Sequence, residues 1–415
     1  MIEVEIPHHC WYEDQPLKLT FPDDWRVHRC RVNSEEARPL SPAEIREAVL
    51  NPLGQKPLDK LAEGAEEVVI IFDDMTRPTK TSQYLPPILE TLEKKGIPDD
   101  NIRFIIAPGT HGTYGRRDFV KKLGEEVVSR YAVYNHNPYE MLDYLGETSF
   151  GTPVWVNSEV MACDLKIAIG TVLFHRLTGL SGGGKIISPG VAGIETIRHN
   201  HGDVGGFGPG RTPCETTGYL CNEGNRMRLD IEESARMAGL DYKVDTVLNL
   251  NRDPISAYAG DFVETQRRAG RDTVKWHTTE NPEADIAIAG SYMRENEPYL
   301  SLWPLYNTVK EDGTLVMVND DPDGDINHWL FNRHGKNVGA SLWNPAKHRL
   351  RKGRRMIIFG RYPLKSFQWR YDEEEVTWIR SWEEVLEELR NHHGPGSRVS
   401  VIPDGTSCIP AQTRV

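Results

Sequence analysis

Six cysteines scattered through 415 residues are too few for a disulfide framework. No stretch approaches the ~18 consecutive apolar residues that a membrane span requires. The opening MIEVEIPHHCWYEDQ has neither a basic n-region nor an apolar h-region, so no secretory signal is expected and the cytoplasm is the expected location. Basic residues are in deficit. Lys and Arg total 49 against 61 Asp and Glu, a net charge of −12, which argues against a nucleic-acid or anionic-membrane partner. Internal repeats and low-complexity tracts are missing too. Ten Trp, fifteen Tyr and eleven Phe supply the large packing groups that disordered chains lack. At ~150 residues per domain the length suggests two or three domains. Thirty-six Gly and fourteen His are the counts that stand out, because both are unevenly distributed.

From Glu66 onward, strand-like and helix-like segments alternate. EEVVIIFDD is a continuous β-branched run ending in acids, as in a buried parallel strand. TSQYLPPILETLEKKG reads as a helix with a Gly stop, NIRFIIAPGTHG as strand then loop, and RRDFVKKLGEEVVSRY as helix. VYNH, VWVN and DLKIAIGTV are further strands, SPAEIREAVLNP is a Ser-capped helix, and the first sixty residues read as hairpin-like strands. After a glycine-dense loop at 202–225, a lid or interface arm by its composition, come MRLDIEESARMAG as helix, KVDTVLNL as strand and ISAYAGDFVETQRRAGRDTVKWH as helix. A second α/β unit begins at ADIAIAGSYM. The expected fold is therefore α/β: two α/β domains with mainly parallel sheets, 1–270 and 271–415, and an interdomain active-site cleft. Ligands of such sheets collect beyond the C-terminal strand ends. Those loops read DDMTRPT, PGTHGTYGRR and TVLFHRLTGLSGGGK, the most chemically loaded segments of the chain.

Gly179 to Lys185 matches the G-x-x-x-x-G-K of a phosphate-binding loop, but Ile186 stands where a Mg²⁺-binding Ser or Thr is needed. A nucleotide hydrolase built on this segment, or a non-catalytic nucleotide binder, is the alternative reading. More specific is what surrounds the lysine. The strand-end loops carry Asp74, Arg77, His111, His175 and Lys185, with His201 following in HNHG. Each alone reads as an ordinary loop residue; histidines with purely structural roles have no reason to crowd the mouth of one sheet.

DDMTRP (73–78), GTH (109–111), FHRLTGLSGGGKIISPG (174–190) and ETIRHNH (195–201) resemble the nickel-dependent lactate racemase family in order and spacing. The resemblance implies a nickel-pincer nucleotide (nickel pyridinium-3,5-bisthiocarboxylic acid mononucleotide) covalently attached to Lys185. It implies His201 as nickel ligand, with His199 a nearby decoy, and His111 and His175 as acid/base groups. Asp74, Arg77 and Thr76 would hold the nucleotide part of the cofactor. The activity implied is inversion of a 2-hydroxy acid, by a racemase or epimerase that depends on cofactor-biosynthesis enzymes and takes a small anionic substrate.

The second domain departs from that pattern. Where the family carries an acid and a Gln-x-x-Lys for the substrate carboxylate, this chain reads GSYMRENEPYLSLWPLYN. Arg294 is a candidate carboxylate grip, Glu295 and Asn296 are candidate partners for extra hydroxyls, and Tyr299 is a candidate pocket wall. Trp369 is a further aromatic candidate from this domain. A sugar acid or other larger 2-hydroxy acid is therefore expected in preference to lactate.

Overall fold

Val68–Asp73 is buried along its whole length. Its side chains alternate as a strand demands: Val68, Ile70 and Phe72 join one apolar cluster, while Val69 and Ile71 join another. A strand apolar on both faces is the centre of a sheet covered on both sides. It pairs in parallel with Ile102–Ala107 and Leu165–Thr171. The six-stranded sheet runs Pro254–Gly260, Tyr242–Leu248, Leu165–Thr171, Val68–Asp73, Ile102–Ala107, Ala132–Asn135, with the first pair alone antiparallel.

The computed structural model describes residues 1–12, 15–326, 328–331, 333, 337, 342–353, 355–363, 365–368, 370–372 and 374–412. Trp369 lies outside the described residues. The chain divides into two units. The middle unit comprises Arg38–Thr273 and Asn327–Asn344; the terminal unit comprises Met1–Ala37, Val274–Ile326 and Pro345–Val415. The switch at Thr273 falls close to the expected 270. Neither unit is one continuous segment, however, as the 1–270 and 271–415 division had them.

The terminal unit has its own six-stranded sheet, in the order Val376–Ile379, Arg355–Phe359, Val309–Val318, Ala284–Gly290, Arg398–Ile402, Arg26–Arg29, and every pairing is parallel. Arg26–Arg29 thus leaves the leading hairpin (Ile2–Ile6 with Leu17–Phe21) to edge this sheet. Its alternating exposure is that of an edge strand, which is why its short sequence carries little signal.

Most expected elements form. Ser41 caps Pro42–Leu50 in a capping box with Glu44. RRDFVKKLGEEVVSRY is two helices, Arg116–Leu123 and Glu125–Arg130, parted at Gly124, whose φ is 84°. One expectation fails. ISAYAG is a strand, Pro254–Gly260, which turns back antiparallel on Tyr242–Leu248, and the helix begins only at Phe262. The β-branched and aromatic alternation of that stretch fits a strand beside an available sheet edge.

His136, 1 % exposed, is locked between the Ala192 carbonyl, to which Nε2 donates at 2.9 Å, and the Asn157 amide at 3.2 Å. Burial lowers its pKa to about 4. The unfolded chain, with His near ~6.5, takes up a proton that the folded one refuses. This group's contribution to stability is therefore full above pH ~6.5 and is lost as pH falls toward 4. In urea titrations at pH 7 and 5, His136→Asn should lose less stability on acidification than the parent; parallel losses would contradict this.

Candidate active site

The central strand ends in two consecutive acids, and each organises a different part of the site. Asp73 accepts from Lys122 Nζ at 2.6 Å, Thr79 Oγ1 at 2.7 Å and the Thr171 N–H at 3.1 Å. Lys122 is fully buried and also donates to the Arg77 carbonyl at 2.9 Å. The DDMTRP turn is thus tied to the neighbouring strand and to the Arg116–Leu123 helix.

Asp74 turns the other way. Its carboxylate lies 2.7 Å from His111 Nδ1, accepts from Tyr114 Oη at 3.1 Å, and receives the Thr76 N–H at 3.1 Å. Burial pushes Asp74 up, but His111, Arg77 and Thr76 outweigh it and hold the carboxyl at about 2. A carboxylate on Nδ1 orients the ring and leaves Nε2 as the nitrogen that exchanges protons. Arg77 folds back on Thr76, donating to its carbonyl at 2.9 Å and its hydroxyl at 2.7 Å. Asp74, Thr76 and Arg77, grouped by the motif, do sit together. The structure adds that Asp74 is the partner of His111, which no local pattern announces.

His175 sits in the Phe174–His175 strand, paired with Thr178–Leu180 just beyond the Leu165–Thr171 strand. Its Nδ1 meets the N–H groups of Leu177 and Thr178 at 3.2 Å and Thr178 Oγ1 at 3.0 Å.

The lysine loop is held from below. Gly183 N–H donates to both oxygens of Asp245, at 3.2 and 3.1 Å, and Asp245 pairs with Lys243 at 2.8 Å. At φ +60° a Cβ on Gly183 would lie 2.7 Å from the Phe262 carbonyl oxygen. This glycine therefore serves close packing, and its amide is spent on a carboxylate, where a phosphate loop would offer it to an anion. That opposes the hydrolase reading. Gly109, at φ +56°, donates to the Gly190 carbonyl at 2.9 Å, joining the GTH loop to the far end of the lysine loop.

HNHG forms part of a π-helical turn, His199–Val204, following Ile194–Arg198. His199 Nδ1 contacts Thr152 Oγ1 at 2.9 Å, while His201, 5 % exposed, has Nδ1 3.0 Å from the Ile197 carbonyl. That carbonyl fixes the Nδ1–H tautomer and leaves Nε2 with a lone pair. Burial first, then the charge of Lys185, push His201 down to about 3, with His111 adding to the effect. Lys185 and His111 therefore act on His201 through space. Asn200 anchors the turn through Met227 O at 3.1 Å and Asp230 Oδ2 at 2.7 Å. The glycine-dense loop folds back here: Phe207 N–H donates to the His201 carbonyl at 3.1 Å, and Gly218–Tyr219 adds a strand to Thr178–Leu180.

His328 and Phe331, which the motifs leave out, also belong to this unit and bring rings beside His111 and His201. In the terminal unit, Arg294 and Glu295 are buried, 1 % and 6 % exposed, and Asn296 and Tyr299 are half-buried. Tyr299 Oη donates to Glu297 at 2.8 Å. Burial and the neighbouring Asp321 raise Glu295 well above the usual carboxyl range. Also in that unit, His8, His9 and Asp320 have metal-like spacing, but Arg361 lies 2.6 Å from Asp320 Oδ2 and already supplies a cation.

Residues 12–206 match the family model for the lactate racemase N-terminal domain. The lactate racemase of Lactiplantibacillus plantarum is 31 % identical over 288 residues, 68 % of this chain and 66 % of its own length. The chain belongs to the lactate racemase family. A second family member, the lactate racemase of Thermoanaerobacterium thermosaccharolyticum, is 27 % identical over 333 residues, 78 % of this chain and 76 % of its own length. The apoprotein structure of the lactate racemase from that organism shares the fold, with a TM-score of 0.73 at 23 % identity over 99 % of this chain and 100 % of that one. This chain spans just under two thirds of the length of the Lactiplantibacillus relative. The family match takes in Asp74, His111, Lys185 and His201.

Removing Lys122 leaves Asp73 buried and unpaired. Lys122→Ala should cost about 3–5 kcal/mol in a urea titration; a loss below about 1 kcal/mol would show that the pair does not hold the turn.

Proposed function

We propose that the chain is a racemase or epimerase that inverts C2 of a small anionic 2-hydroxy acid, using a nickel-pincer nucleotide attached to Lys185 and ligated by His201. The observation that carries this reading is His201 itself: buried, kept neutral, its Nδ1 committed to Ile197 O, and within the field of Lys185. A neutral imidazole with a fixed tautomer is the form that binds a metal, and a nitrogen donor suits a late divalent ion. Lys185 is the side chain for covalent attachment, and the Asp74, Thr76 and Arg77 turn is the proposed seat of the nucleotide. When bound, this cofactor supplies a reversible acceptor for the C2 hydrogen together with its electron pair.

The protein's part is proton handling. The C2 proton beside a carboxylate is very weakly acidic, so removing it alone would build a dianion. His111 Nε2 instead takes the hydroxyl proton, and Asp74 stabilises the imidazolium that results. The acid becomes a planar 2-keto acid, which turns. His175, entering in its protonated form, returns a proton to the oxygen when the C2 hydrogen comes back to the other face. Each turnover moves one net proton between the imidazoles, and solvent exchange resets them.

Lactate is disfavoured as substrate, because GSYMRENEPYLSLWPLYN lacks the Gln-x-x-Lys clamp. A sugar acid or another larger 2-hydroxy acid fits better, with Arg294, Glu295, Asn296 and Tyr299 as the proposed substrate residues. The proposed partners are the cofactor-biosynthesis enzymes, and the proposed location is the cytoplasm.

Holoprotein made together with those enzymes should show a nickel-bearing mass adduct that Lys185→Ala abolishes and a nickel content that His201→Ala lowers. Wild-type holoprotein with neither adduct nor nickel would sink the reading. His111→Ala and His175→Ala should each cut turnover by about 10²–10⁴ with the adduct intact. With acids deuterated at C2, the inverted product should retain most of the label; rapid wash-out to solvent would point to simple proton abstraction.

A further inference from the structure

Arg228 stands in the first turn of the Arg226–Met237 helix and is fully buried, a costly place for a charge. Glu232, one turn further on, comes only to 4.0 Å from its Nη1. Burial pushes the guanidinium down to about 10, with Arg267 adding to the effect. What the guanidinium grips is backbone. Nε donates to the Thr178 carbonyl at 3.3 Å, and Nη2 donates to the Leu180 carbonyl. Asn225, which caps the same helix, donates to the Leu177 carbonyl at 2.9 Å. The Leu220 N–H donates to the Gly179 carbonyl at 3.3 Å. Every carbonyl from 177 to 180 is thus held from outside the segment.

This segment is the one that surrounds Nδ1 of His175. The Leu177 carbonyl and the Thr178 N–H belong to one planar peptide and point opposite ways, so fixing the first aims the second. The N–H groups of Leu177 and Thr178 reach Nδ1 at 3.2 Å. Thr178 Oγ1 donates to the Leu180 carbonyl at 2.9 Å, so its oxygen is left to accept from Nδ1, 3.0 Å away. A neutral ring accepts at Nδ1 from the two N–H groups. A charged ring carries a proton there and donates it to the Thr178 oxygen. The same surroundings therefore hold His175 in both protonation states. Resting on the racemase reading above, we infer that Arg228 is a positioning residue for His175, acting through Thr178. By gripping the Thr178 and Leu180 carbonyls it keeps the hydroxyl in the direction that lets the imidazole gain and lose a proton without turning. An apolar side chain in its place would fill the space but leave two buried carbonyls short of a donor.

The test uses the full-length protein, wild type and with Arg228→Met, Arg228→Lys or Thr178→Val. In cofactor-free protein the histidine ring nitrogen resonances are followed by NMR. Arg228→Met should move those of His175 and leave those of His111 in place; Arg228→Lys, which keeps a cationic donor, should restore most of the wild-type position. Thr178→Val removes the hydroxyl alone, should also move His175, and keeps the test informative if Arg228→Met folds poorly. In holoprotein carrying the Lys185 adduct, turnover is read with lactate, malate and gluconate. Arg228→Met should lower kcat by about 10–100-fold on any acid that the wild type inverts, with KM changed by less than about two-fold. Added to His175→Ala it should cost less than about two-fold more, because it acts through that ring. Unmoved His175 nitrogens, equal movement of His111, or an undiminished cost in the His175→Ala background overturns the assignment. A wild-type holoprotein without the adduct refutes the racemase reading instead, and the ring nitrogens of the cofactor-free protein still decide whether Arg228 sets His175.

Discussion

The Lys122–Asp73 ion pair is the contact on which the rest of this site depends. A carboxylate at the inner end of a buried strand costs several kcal/mol to desolvate, and only a full set of partners offsets that. Here the partners come from three places: the helix that carries Lys122, the Thr79 hydroxyl and the backbone of the next strand, and Lys122 in turn donates to the carbonyl of Arg77. Meeting the needs of Asp73 fixes the path of the turn. The next residue, Asp74, is then aimed across the sheet's mouth at His111. Two adjacent acids divide the work, one paying for position and one acting on the chemistry.

The imidazoles of the site differ in what sits on Nδ1, and that difference fits the tasks proposed for them. His111 has a carboxylate, His175 a ring of backbone N–H groups and a hydroxyl, and His201 a carbonyl from its own helical turn. The first arrangement favours holding a proton gained from a substrate. The third favours a neutral ring with Nε2 left as the acceptor nitrogen. One residue type is thereby given distinct environments by its neighbours.

Much of this was legible in the chain. Continuous β-branched runs identified the central strands, because a strand buried on both faces has no room for alternation. The loaded loops were legible because parallel topology puts strand ends together whatever their separation in sequence. Four things were not. Arg26–Arg29 is a short edge strand whose partner, Arg398–Ile402, lies near the other end of the chain. ISAYAG merged by eye into the helix that follows it, since only the open edge of the Tyr242–Leu248 strand decides in favour of a strand. His328 sits in NHWLF with no motif around it, and its closeness to His111 across more than 200 residues comes from tertiary packing alone. The Asp74–His111 partnership was hidden for the same reason: each residue was visible, but the bond between them was not.

The interleaving of the two units along the chain has a consequence for synthesis. During translation the middle unit's sheet has every strand in hand by Gly260, whereas the terminal unit must wait for Arg398–Ile402 before Arg26–Arg29 has anything to pair with. The leading segment is thus made first and seated last. Residues 328–331 emerge between these two events, so a nascent chain passes through a stage in which the loops of Asp74, His111 and Lys185 are made and the rings of His328 and Phe331 are not yet beside them.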